Sequence, residues 1–190
     1  MNGFLYALIA CFLAGLGARD QMLVATLSAR LGRHGGLLVA ALITAAMATG
    51  VAVWAGQTIA PTLSPEARAV LAAMALVAGG LESLVLTPGP PPRQPTRSLF
   101  AAGLVLGALQ VFDATRFIAL AIALATDMPA SAGLGALAGN GAALTLGWLA
   151  AEDLAGRRRQ AAWARRGAGA LLLLAGLATA LWAWTVMGQY

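Results

Sequence analysis

The chain has no lysine, a single cysteine, a single histidine and few charges of any kind, only 10% of its 190 residues. Each absence narrows the function. One cysteine, Cys11, excludes an internal disulfide and any cysteine-cluster metal site, and its place in an apolar stretch suits packing. Soluble domains average roughly 25% charged residues, so this charge content excludes an ordinary globular core. The net charge of +5 and pI near 11.0 would suit nucleic acid. Yet the 12 basic residues, all arginine, form no stripe interleaved with exposed aromatics, so no nucleic-acid partner is expected. No H-E-x-x-H, nucleophile elbow or P-loop is present, and no enzyme is expected. An intramembrane aspartyl protease needs paired aspartates, and Ala18 stands where one would be required.

What the chain does have is hydrophobic length. Hydrophobic residues make up 60% of it and mean hydropathy is +0.81. A spanning helix needs roughly 20 predominantly apolar residues. That measure gives six, at about 4–29, 37–60, 67–87, 99–126, 130–151 and 167–187. The first lacks a positive leader and its apolar character resumes after Asp20, so it reads as a retained helix rather than a cleaved signal. Breaks carry loop chemistry: Arg30 to Gly36, Pro61 to Pro65, the Pro-rich Pro88 to Pro95, the turn Asp127-Met-Pro129, and a charged loop from Glu152 to Arg166.

Arginine placement sets the expected orientation. Arg30, Arg33, Arg93, Arg97, Arg157, Arg158, Arg159, Arg165 and Arg166 all fall in the first, third and fifth loops, and only Arg68 falls opposite. The positive-inside rule puts those loops in the cytoplasm and both termini outside, in a cell inner membrane. The Pro-rich linker, 88–98, separates residues 1–87 from 99–190, three spans each. Because three is odd, the second unit enters from the opposite side, as in an inverted-topology repeat. The expected fold is therefore an all-α integral membrane protein, six transmembrane helices in two inverted three-helix repeats.

Charge falls where the bilayer penalises it. Gly15-Leu-Gly-Ala-Arg-Asp-Gln21 and Gln110-Val-Phe-Asp-Ala-Thr-Arg116 open the two units, offset by 95 residues. An ionisable side chain at bilayer depth costs about 2.5–3.5 kcal/mol even on lenient scales, and such residues usually face a bundle interior or a water-filled pathway. Arg19, Asp20, Asp113 and Arg116, with the adjoining Gln21, Gln110 and Thr115, are the candidate site. Glu82, five residues from the end of the third span, and Asn140, in the fifth, are secondary candidates as a proton carrier and an interhelical or pathway amide. His34 reads as a solvated loop residue, and Trp54, Trp148, Trp163, Trp182 and Trp184 as interfacial anchors. Gly103/Gly107 and Gly135/Gly139 are GxxxG spacings that suit close helix packing.

These clusters resemble the motifs of the transmembrane protein 165 family, Golgi calcium/manganese:proton antiporters and bacterial manganese exporters of the lysine-exporter superfamily. That family has six spans in two inverted halves, each opened by E-x-G-D-[KR]-[ST]. The first copy here reads Gly15-Leu16-Gly17-Ala18-Arg19-Asp20 and the second Gln110-Val111-Phe112-Asp113-Ala114-Thr115. The family's glutamates are Gly15 and Gln110, and its first aspartate is Ala18, whereas Gly17, Arg19, Asp113 and Thr115 keep their positions. Ala29-Arg-Leu-Gly-Arg-His, Gly133 to Ala142 and Gly167 to Gly176 also look like the family's loop and late spans.

The resemblance implies a divalent-cation:proton antiporter with Mn²⁺ or Ca²⁺ and H⁺ as transported ions, no resident cofactor, and Asp113 as the metal-facing carboxylate. Two intact motifs would carry a net charge of −2. Asp20 and Asp113 against Arg19 and Arg116 sum to zero. A dehydrated divalent cation needs about six oxygen ligands with carboxylates to offset its charge, so manganese transport is expected to be weak, absent or replaced. Pairing of Asp113 with Arg19 and of Asp20 with Arg116 across the halves is the expected geometry. Besides the lipid bilayer and a small ion, a second copy in a homodimer is the partner this reading allows. The alternative is a non-transporting membrane scaffold or partner subunit whose Arg–Asp pairs are structural.

Overall fold

Every long element is a helix, as the length of the apolar runs dictates. The computed structural model describes residues 2–86, 88, 98–126 and 128–187. The expected linker, with Arg93 and Arg97, lies largely outside the described residues, as does Asp127 of the expected turn. In chain order the elements are α1 (Asn2–Gly15), α2 (Arg19–Leu31), α3 (Gly35–Ile59), a 3-10 turn (Ala60–Thr62), α4 (Pro65–Val85), α5 (Leu99–Val111), α6 (Ala114–Ala125), α7 (Pro129–Leu149), α8 (Ala151–Gly156) and α9 (Arg158–Met187). Ser64 and Ser98 start α4 and α5 by accepting from the backbone N–H of Ala67 and Ala101.

The expected first and fourth spans are each broken. α1 and α2 meet at 57°, and α5 and α6 at 51°. Among the described residues, three helices are long and apolar enough to cross a membrane, or five if each bent pair is one span. The chain is thus an all-helical, multi-pass membrane protein with three to five candidate spans.

The segment expected as a span at 130–151 is α7, which is less apolar than those three helices. At 21 residues it is about 31 Å long, enough for a hydrocarbon core of about 30 Å. Its glycines and Asn140 lower its hydropathy because neighbours, rather than lipid, cover it: nine of its residues are buried. The charged stretch Glu152 to Arg166 is not a loop. It folds as α8 and the first turns of α9.

Packing is mostly between the units. α1 lies on α7 and α6, α2 on α7 and α8, α3 on α5, α6 and α7, and α4 on α6 and α9. Cys11, Ala14, Ile118 and Ala136 belong to one buried cluster, and Val24, Ala41, Leu106 and Leu144 to another. The Gly135/Gly139 spacing lets the α1 and α7 backbones touch, because a Cβ at either position would collide with the carbonyl oxygen of Phe4 or Leu8. The other spacing is looser. A Cβ at Gly103 would come no nearer than 4.0 Å to Ala40.

Polarity runs opposite to that of a soluble protein. Leu5, Ile9, Met47, Val51, Leu174 and Leu181 are exposed, as are Trp54, Trp163, Trp182 and Trp184. Asp20, Gln110, Asp113, Arg116 and Asn140 are buried. An apolar exterior around a polar interior is the arrangement a bilayer demands.

The two glycine spacings give a controlled comparison. Gly139→Leu should cost about 1–3 kcal/mol by overpacking the α1–α7 seam. Gly103→Leu, in open space, should melt close to the parent in detergent thermal unfolding.

Candidate functional site: two helix breaks and a buried charge network

At the first break the chain leaves α1 at Gly15 and re-enters helix at Arg19. Gly17 has φ +76°, the left-handed region that disfavours side chains. A Cβ there would also collide with the Ala161 carbonyl of α9, so the break is seated on α9. Gln21 ties it to two places. Its Oε1 accepts from Gly17 N at 2.7 Å, and its Nε2 donates to Ala143 O of α7 at 2.8 Å. Asp20 Oδ1 accepts from the Gln21 N–H at 2.8 Å.

The second break uses charge for the same purpose. Asp113 is the N-cap of α6, its Oδ1 accepting from Thr115 N at 3.0 Å and from Thr115 Oγ1 at 2.7 Å. Arg116 reaches back, donating from Nε to the Gln110 carbonyl at the end of α5 at 3.2 Å. A second guanidinium nitrogen of Arg116 bonds to the Thr49 hydroxyl of α3. A carboxylate thus sits at a helix N-terminus and a guanidinium at a helix C-terminus, each the favourable sign for the local dipole. The equivalent N-cap in the first break is Ala18, which has no capping side chain.

The two breaks touch. Gln110 Nε2 donates to Asp20 Oδ2 at 3.2 Å and to Ala41 O at 3.3 Å. Beside them lies an ion network centred on Glu82. Arg19 Nη2 is 2.9 Å from Glu82 Oε1, and Arg165 Nη2 is 2.6 Å from both Glu82 oxygens. Arg165, only 1% exposed, also donates from Nε to Leu86 O at 3.1 Å and holds Nη1 3.8 Å from Asp113 Oδ2.

The expected cross-pairs are therefore replaced. Arg19 goes to Glu82 rather than Asp113, and Asp20 accepts from Gln110 while Arg116 caps α5. Glu82 does not snorkel to the surface, because two guanidiniums hold it inside. Asn140 is buried near Gly15, and both its amide atoms lack a hydrogen-bond partner. His34 occupies the N-cap position of α3 without a side-chain capping bond, and its carbonyl accepts from Trp148 Nε1 at 3.3 Å.

Two contributors escaped the sequence reading. Arg165 was grouped with the basic loop residues, and the helical continuation of α9 carries it inward. Thr49 is one polar residue in a long apolar run, but it follows Ala41 and Ala45 at four-residue spacing on the buried face of α3.

Formally, Asp20, Asp113 and Glu82 balance Arg19, Arg116 and Arg165. Among the described residues no group of three or more histidine, cysteine or carboxylate side chains is placed to hold a metal ion. Several buried polar atoms keep unused capacity: Gln110 Oε1, Asp113 Oδ2, Arg116 Nη2 and Arg165 Nη1 have no hydrogen-bond partner. A groove of about 370 Å³ between α3, α5 and α6, lined by Thr44, Met47, Val51, Gly107 and Phe117, reaches Arg116 from the apolar side.

The cap gives a test separate from transport. Asp113→Asn keeps an N-cap acceptor and Asp113→Ala removes it, so the alanine variant should be about 1 kcal/mol less stable than the asparagine variant. Thermal melts of the two variants side by side check this.

No curated protein and no solved structure matches the chain. Residues 3–88 match the family described as Divalent cation/proton antiporter GDT1. With its broken first helix and buried carboxylates, the first half of the chain is similar over residues 3–88 to this family of membrane transporters.

Proposed function

We propose that the chain is a cation/proton carrier whose two halves form an inverted pair, with a charge-balanced site where the two helix breaks meet. The observation that carries this is the hydrogen bond from Gln110 of the second break to Asp20 of the first, 90 residues apart and fully inside the protein. Broken helices meeting at the centre are how inverted-repeat carriers expose polar groups to a substrate. The helix pairings support the inverted pair: α1 on α7 answers α5 on α3, and α2 on α7 answers α6 on α3. The arginines of the first, third and fifth connections favour a cytoplasmic side there, with both termini outside an inner membrane.

In this reading the site residues are Asp113 and Asp20, framed by Arg19, Arg116, Gln110, Thr115 and Gln21, with Glu82 and Asn140 beside them. The substrates are Mn²⁺ or Ca²⁺, exchanged for protons as the halves rock about their interface. Three guanidiniums against three carboxylates leave little net attraction for a divalent ion, so turnover is slow. A second reading has its own observation: each of these carboxylates already has a resident guanidinium or amide partner, as in a scaffold locked by ion pairs.

Reconstitution separates them. Proteoliposomes should show slow Mn²⁺ or Ca²⁺ flux with opposing proton movement, and Asp113→Asn should abolish it. Flux that survives Asp113→Asn would sink the site. Absence of any ion flux, with a lower melting temperature in Asp113→Asn, would favour the scaffold.

A further inference from the structure

The outer face of α9 carries chemistry that the central network does not use. Arg159, Trp163 and Arg166 recur at helical spacing near its start, and all three are exposed. The Arg166 guanidinium lies over the Trp163 indole, 5.7 Å from the ring centre. Further along, the same face continues as Ala170, Leu174, Leu177 and Leu181, also exposed. The rise from Trp163 to Trp182 is about 28 Å, close to the hydrocarbon thickness of about 30 Å. Both tryptophans are exposed, as an aromatic belt requires, and this puts Trp163 at headgroup level. Arg159 then stands about 6 Å further out and Arg166 about 4.5 Å deeper. Helical side chains tilt toward the N-terminus, which carries the Arg166 guanidinium back out to the Trp163 level.

We propose that Arg159, Trp163 and Arg166 form a seat for the phosphate of an anionic phospholipid, whose acyl chains lie along Leu174, Leu177 and Leu181. A guanidinium grips a phosphate through paired N–H donors, a fit that a lysine ammonium lacks. Among the described residues no carboxylate pairs with Arg159 or Arg166, so both charges are available to a headgroup. The corner as a whole is basic, because Arg157, Arg158, Arg159 and Arg166 outnumber Glu152 and Asp153. A zwitterionic lipid brings its own cation to this level and gains less from it. The apolar stripe directly beneath the guanidiniums is what selects a lipid over an acidic peptide. Arg165, on the same turn, points the other way into the protein. One turn of α9 thus serves the central network on one side and the membrane surface on the other.

The inference is independent of the transport reading, and its test measures lipid binding alone. Delipidated protein in neutral detergent is titrated with dioleoyl phosphatidylglycerol or dioleoyl phosphatidylcholine, and bound lipids are counted by native mass spectrometry. The parent should hold one phosphatidylglycerol at least about tenfold more tightly than phosphatidylcholine. Arg159→Gln/Arg166→Gln should remove that preference, since each arginine near an anionic headgroup supplies roughly fivefold. Both side chains are exposed, so the double variant should melt with the parent when no lipid is added. Arg33→Gln, at an exposed arginine of another connection, should keep the preference. Equal affinity for the two lipids overturns the proposal, and so does a preference that survives the double variant. An equal loss in Arg33→Gln overturns it as well, because diffuse surface charge would then be enough. Dimers that bury this face and that phosphatidylglycerol does not disperse would assign it to a second copy instead.

Discussion

A helix broken inside a bilayer frees peptide groups that lipid cannot satisfy, and every such group must find a partner within the protein. The rest of this structure follows from that constraint, applied twice. At the first break an amide side chain does the work: Gln21 accepts from the Gly17 N–H and anchors itself on α7. At the second, ionised side chains do it, with Asp113 capping α6 and Arg116 the end of α5. Residues that would be costly in a straight span become the means by which a broken one is tolerated.

The same residues create the site. The charges at and beside the two breaks find partners on other helices: Glu82 of α4 and Arg165 of α9 by charge, and Thr49 of α3 by a hydrogen bond. The outcome is a buried, formally neutral centre that joins the two halves. A neutral centre is a weak trap for a divalent ion, yet its oxygens are those an ion would use.

Much of this was legible in the chain. Apolar run lengths predicted helices, and the 95-residue offset between Gly15 and Gln110 marked the two charged clusters, although both were expected inside unbroken spans. The match of residues 3–88 to a cation/proton antiporter family agrees with the resemblance read from the degenerate motifs. Partner choice was not legible, because it depends on packing between distant segments. Arg165 resembles its neighbours Arg157 to Arg159 in sequence, and only the continuation of α9 brings it 3.8 Å from Asp113. Hydropathy likewise understates α7, whose glycines serve α1 rather than lipid.

The central claim is that the two halves are held by one charge-balanced centre, and Glu82 with Arg165 is the shortest of its ion pairs. A double-mutant cycle on thermal or denaturant unfolding, using Glu82→Gln, Arg165→Gln and the pair, measures that link directly. The account predicts a coupling energy above about 1.5 kcal/mol, within the range for contacting residues of one ion network. Additive single-variant effects, with coupling below about 0.5 kcal/mol, would contradict it.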